Sequence, residues 1–279
     1  MAKEEPARGE PMIIASAGEL MLPRTRRGFV RTLLAGGTVM MLPGVFTACD
    51  GDGDGNPLGP DIPDPVTGVS FDLRSDVGIF RLVHTLEQLE AAFYTAVVAS
   101  DAFDSFSAAE RELFVDLRNV EVIHREFVRT ALGSQAVPDI RGSIDKNVLE
   151  QVLSSRERII GAARLFENIG VAGLNGAGKY LQDARNLLLA GKFVSVEARH
   201  AAALRDVLPP AGVNANTAFA GDDIIDAQGR DVKLEAGAVL ARVAGTGLLR
   251  ANTLANPAIT AGPTATQGVA TADFFPANP

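Results

Sequence analysis

Two Glu-x-x-His pairs, Glu121 to His124 and Glu197 to His200, constrain this 279-residue chain more than any other feature. They hold two of its only three histidines, and each interrupts an apolar stripe of helical spacing. Residues three apart are neighbours on one helix face, so each pair presents a carboxylate and an imidazole together to whatever the stripe packs against. The first stripe runs Phe114, Leu117, Glu121, His124, Val128 and Ala131, and opens with a capping box, Ser107 to Glu110. The second runs Ala190, Phe193, Glu197, His200, Leu204 and Val207, on a helix expected over residues 183–207.

Two further segments repeat the pattern with acids alone. Phe80, Val83, Glu87, Glu90, Tyr94 and Val97 recur at spacings of three and four, and so line one helix face. Ile160, Ala163, Glu167, Val171 and Leu174 do the same within a third helix expected from Ser143 to Tyr180. A carboxylate in an apolar seam costs several kcal/mol unless a cation or hydrogen-bond donors offset it. Five such acids in four seams therefore need an explanation, and a pair of divalent metal ions supplies one. Bundles that hold two metals take a Glu from each of two helices and Glu-x-x-His from each of the other two. The spacing agrees: Glu87 to Glu121 is 34 residues and Glu167 to Glu197 is 30, as in two helical hairpins whose ligands meet at mid-height. The 46 residues from Glu121 to Glu167 leave room for a long crossover through "GSQAVPDIRGS". Six per cent aromatics and no Trp also favour helices over sheets. The expected fold is all-α: a four-helix bundle over residues 75–208 with a long crossover between helices 2 and 3. An irregular extension follows over residues 209–279, with one short helix near 235–243 and a low-complexity tail from 251.

Through "LEQLEAAFY", "EVIHREFVRTALG", "FENIGVAG" and "VEARHAAALR" the chain resembles the ferritin-like superfamily, and within it the branch that includes plant desiccation-related proteins. The resemblance implies a site for two iron or manganese ions that reacts with oxygen or peroxide. In ferritins and bacterioferritins the first-helix ligand lies seven residues before a Tyr, which selects Glu87 through Tyr94. The implied ligands are then Glu87, Glu121, His124, Glu167, Glu197 and His200, with Glu90 and Tyr94 beside them. If the protein is an enzyme, it is a di-iron or di-manganese oxidoreductase. The alternative is a non-catalytic envelope scaffold or stress protein whose metal site is structural or empty.

The first residues read as an address. In "TRRGFVR", Arg26 and Arg27 precede Phe29 at the spacing of a twin-arginine export signal, and a short apolar run follows, too short to span a bilayer. The run ends at "FTAC", which resembles a lipoprotein cleavage box. Residues 1–48 are thus expected to be a signal peptide and Cys49 a lipidated anchor to the membrane, outside the cytoplasm. Export of folded protein suits metal loading in the cytoplasm, as the resemblance implies. Cys49 is the only cysteine, which excludes an internal disulfide. Residues 49–74 read as a flexible acidic linker rich in Gly and Pro. Asp50, Asp52, Asp54, Gly55 and Asp61 fall on calcium-loop positions, but Pro57 and Pro60 favour a tether.

Removing residues 1–48 takes away six of 26 basic and four of 34 acidic residues, leaving 20 against 30. That balance argues against nucleic acid as a partner. "GLNGAGKY" mimics a phosphate loop, but Tyr180 replaces the Mg²⁺-binding hydroxyl and the preceding segment has helical periodicity, so no nucleotide is expected. The glycines there would instead admit a close neighbour, with Lys179 toward solvent. A tethered chain with these extensions does not suit a closed storage cage, although a smaller homo-oligomer is compatible with it.

Overall fold

In the computed structural model, residues 57–59 and 61–264 are described. Arg26, Arg27, Cys49 and the acidic 50–55 run lie outside the described residues. Ser75 starts the first helix by accepting a hydrogen bond from the Gly78 amide (3.2 Å), and α1 runs Asp76–Val98. Seventeen of its 23 residues are buried, so α1 is the central rod of the molecule rather than a surface helix. The expected capping box forms: Ser107 accepts from the Glu110 amide and the Glu110 side chain accepts from the Ser107 amide, opening α2, Ala108–Leu132. This helix buries only Phe114, Leu117, Glu121, His124 and Val128, a single stripe. Ala131, expected on that stripe, is exposed.

The third helix differs from expectation. In place of one segment from Ser143 to Tyr180 the chain forms a short α3, Lys146–Val152, and then α4, Arg156–Ala177. The break is made by local caps: Asp145 accepts from the Asn147 and Val148 amides, and extended Ser155 accepts from the Arg158 amide. Each Asp or Ser side chain offers the backbone an alternative to helical continuation. Asp183 caps α5, Ala184–Val207, in the same way. Helices α1 with α2 and α4 with α5 form the two expected hairpins of an all-α bundle. Among the described residues, no helix is long and apolar enough to cross a membrane.

Two stretches expected to be irregular are ordered against this bundle. Residues 49–74 were expected to form a flexible linker, yet Leu58, Val69, Phe71 and Leu73 are buried, and Val69–Asp72 is strand β1. Ser143 fixes the same segment, accepting from the Val66 amide (2.9 Å) and donating to its carbonyl (3.1 Å). The tail from residue 251 was expected to be loop, yet Leu254–Ala261 is strand β2, parallel to β1. Neither strand shows a long enough alternation to be read alone; each exists because the other satisfies its backbone. Ahead of β2 in the chain lies α6, Ala236–Gly245, the expected short helix. The Leu234 amide preceding α6 donates to Ala172 O (2.7 Å), and a Cβ on Gly176 would stand 1.8 Å from Leu234 O. The glycine-rich stretch thus admits a packed neighbour, with Lys179 and Tyr180 both reaching Glu235 (2.5 and 2.7 Å).

Candidate metal centre

The four long helices bring all six expected ligands to one place at the centre of the bundle. Glu87 comes from α1, Glu121 and His124 from α2, Glu167 from α4, and Glu197 and His200 from α5. Their donor atoms fall into two groups, Glu87, Glu121, His124 and Glu197 on one side and Glu121, Glu167, Glu197 and His200 on the other. Within each group one atom per residue lies within 4.8 Å of all the others. Glu121 and Glu197 belong to both groups.

The distances agree with shared carboxylates. His124 Nδ1 lies 3.0 Å from Glu197 Oε1, 3.3 Å from Glu121 Oε2 and 3.4 Å from Glu87 Oε2. His200 Nδ1 lies 2.9 Å from Glu121 Oε1, 3.2 Å from Glu167 Oε2 and 4.0 Å from Glu197 Oε2. Yet among the described residues both oxygens of Glu121 and Glu197, Oε2 of Glu87 and Nδ1 of His124 have no partner in hydrogen-bond geometry, although all are buried. Buried polar atoms are nearly always satisfied. Six orphans facing one another at such distances are donors converging on a point, as a cation requires. The charge balance also fits, because four carboxylates and two neutral imidazoles match two divalent ions. Carboxylate and imidazole together suit iron or manganese.

Without such ions, protons must do the neutralising. Burial pushes Glu87 and Glu167 well above the usual carboxylate range, and the neighbouring carboxylates add to the effect. Burial disfavours a charge on His200, but Glu121 and Glu167 outweigh it and hold the ring up to about 10. His124 is raised for the same reason, its carboxylates overcoming burial. Glu121 is pulled down to about 2, because the two imidazoles outweigh its burial.

Neighbouring side chains hold these groups in place. Tyr94 donates to Glu167 Oε1 (2.5 Å), leaving Oε2 for His200. Burial beside Glu167 keeps the Tyr94 phenol protonated. Phe193, one turn before Glu197, stacks on His124 at 4.4 Å and 16°. Glu90 is buried but joins neither donor group; its Oε1 and Glu197 Oε2 both lie 3.5 Å from where a Gly170 Cβ would stand. Gly170 thus lies against both acids.

His84 and Gln88 form a second buried polar pair on α1, in which His84 is a core histidine and not a ligand. His84 Nδ1 accepts from the Val137 amide (3.3 Å), and Gln88 accepts from the Ile140 amide (2.9 Å) while donating to Pro138 O (3.2 Å). Together they fasten the crossover to α1, one turn from Glu87. The sequence signal of the pair was the i, i+4 spacing of two polar residues on a helix otherwise apolar on that side.

Fold and site together define a helical bundle with a buried carboxylate–histidine group that could hold a metal. Residues 75–210 match the family model of the ferritin-like domain, from the cap of α1 to just past α5. The match supports the ferritin-like superfamily for this bundle. Searches of curated proteins and of solved structures found no match.

Proposed function

We propose that this chain is an exported, lipid-anchored ferritin-like protein that binds two iron or manganese ions and turns them on O₂ or peroxide, in oxidative or desiccation stress. The observation that carries the reading is the pair of donor groups that share Glu121 and Glu197. When bound, the ions would supply redox and Lewis-acid chemistry to a small oxidant. The chain supplies the rest. Glu121 and Glu197, common to both donor groups, would hold both ions, with Glu87 and His124 in one group and Glu167 and His200 in the other. Tyr94 fixes the orientation of Glu167 through its hydroxyl proton, Phe193 fixes the His124 ring, and burial excludes bulk water from both. Arg26 and Arg27 would direct export and Cys49 would carry the lipid.

The burial of the whole set, with five of the six ligands at 6% exposure or less, favours one other reading, a non-catalytic envelope scaffold with a structural or empty site. Metal content separates the two. The protein purified from its native host without chelators is expected to carry about two Fe or Mn per chain, as dinuclear bundle sites do, and a Glu121→Ala/His200→Ala variant to carry almost none. Failure of both proteins to take up metal on reloading would remove the dinuclear centre and leave the scaffold.

A further inference from the structure

A cavity of about 40 Å³ lies between α1, α4 and the C-terminal extension. Its inner end is formed by Glu87, Glu90 and Gly170, all buried. Its outer end is formed by Tyr180, Ala236 and Pro263, all partly exposed. Val83, Leu86, Leu174 and Val239 are among the residues between them, and Glu87, Glu90 and Tyr180 are the only described lining residues with polar side chains. On one side the chamber is lined by Gly170, Gly173 and Gly176 of α4, and from the extension by Ala236 and Val239 of α6 and Pro263 beyond β2. The four-helix bundle alone lacks the roof that the extension supplies.

We propose that this chamber is a binding site for a small uncharged apolar molecule of two or three heavy atoms, the size of dioxygen, and its route from the surface to Glu87 of the metal centre. Size and chemistry both select such a guest. One water needs roughly 10–15 Å³, so the space takes more than a single water but no organic substrate of ordinary size. Between the acids at the inner end and Tyr180 at the outer, the walls are apolar and give water too few partners to be held, and apolar spaces of this kind stay dry and take up xenon or small hydrocarbons. The acids at the inner end exclude an anion. The extension from residue 209 onward thereby acquires a role, as the roof of the chamber. Binding of the guest stands on the cavity alone; its delivery to bound metal rests on the function proposed above.

Xenon tests this directly, as an apolar atom of similar size with strong anomalous scattering. Crystals of the full chain under xenon pressure should show an anomalous peak in contact with Val83, Leu174 and Val239. Val239→Phe should lose the peak, and Val239→Ala, which enlarges the chamber, should strengthen it. Absence of the peak from the wild type, or a peak indifferent to both variants, would overturn the proposal. Metal content measured on the same samples keeps the two readings apart: xenon bound by a protein that takes no metal upholds the chamber and removes the dinuclear centre.

Discussion

His84 is 1% exposed, and burial, the largest influence on it, lowers its pKa to about 4. The folded protein therefore holds this ring neutral at pH values where the unfolded chain, near 6.5, is already protonated. The associated stability is complete above pH 6.5, declines as pH falls from 6.5 toward 4, and is constant below. His84→Gln removes this dependence, so the stability gap between wild type and variant should narrow by on the order of 3 kcal/mol between pH 7 and pH 4. Urea melts at several pH values measure it, and a gap independent of pH would show that His84 is not held neutral. Phe193 offers a second test beside the site. Phe193→Leu keeps an apolar side chain but loses the ring stacked on His124. Metal affinity should drop by about tenfold, as for other groups that orient ligands, with helicity unchanged. Competition against a chelator of known affinity reads this out, and an unaltered affinity would mean that the helix alone orients His124.

At the scale of elements, the hairpins were legible and their connections were not. Each long helix carries its own periodic stripe, and the Ser107–Glu110 box announces its own position. Glu110 also pairs with Arg156 in the first turn of α4, a contact across 46 residues that no local pattern announces. The Arg156 guanidinium, aided by the Ser107 amide against the effect of burial, holds Glu110 down to about 2. The sign follows from a carboxylate depressed on folding: its contribution is present above pH 4.5 and is lost as pH falls toward 2. Glu110→Gln, which keeps a capping acceptor, should cost about 1 kcal/mol at pH 7, since it removes the charge paired with Arg156 in a partly solvated ion pair. The two proteins should converge in thermal melts near pH 2. A difference that persists there would assign the loss to packing instead. The α3/α4 break was missed because a stripe of apolar residues reads straight through Ser155, where one side-chain cap decides otherwise. Strands β1 and β2 were missed because their partner residues lie some 185 positions apart, as Val69 and Leu254 do.

At the scale of the whole molecule, metal binding at the buried acids would be coupled to folding. A ligand that binds only the native state stabilises it by about 2.7 kcal/mol at a hundredfold excess over Kd. For a chain of this size, that corresponds to a rise in Tm of roughly 5–10 °C for each ion. Calorimetry of the metal-free protein with and without Fe²⁺ or Mn²⁺ should show the rise, and the Glu121→Ala/His200→Ala variant should not. Equal melting temperatures with and without metal in the wild type would leave the six orphaned donor atoms without the cation proposed for them.

The sequence by itself determined the four long helices, their pairing in two hairpins and the acids and histidines on their apolar stripes, while the choice of Glu87 over Glu90 rested on the resemblance. A 3.6-residue period is local, and a carboxylate or imidazole on an apolar stripe has one direction in which to point. Only the tertiary structure decided that Glu121 and Glu197 belong to both donor groups, that Glu90 joins neither, and that Gly170 lies against Glu90 and Glu197. It also decided that the last part of the chain returns to roof a chamber against α1 and α4. Those outcomes depend on distances between atoms remote in sequence, on a Cβ absent at Gly176 so that Leu234 O can approach, and on backbone pairing that leaves no mark on side-chain pattern.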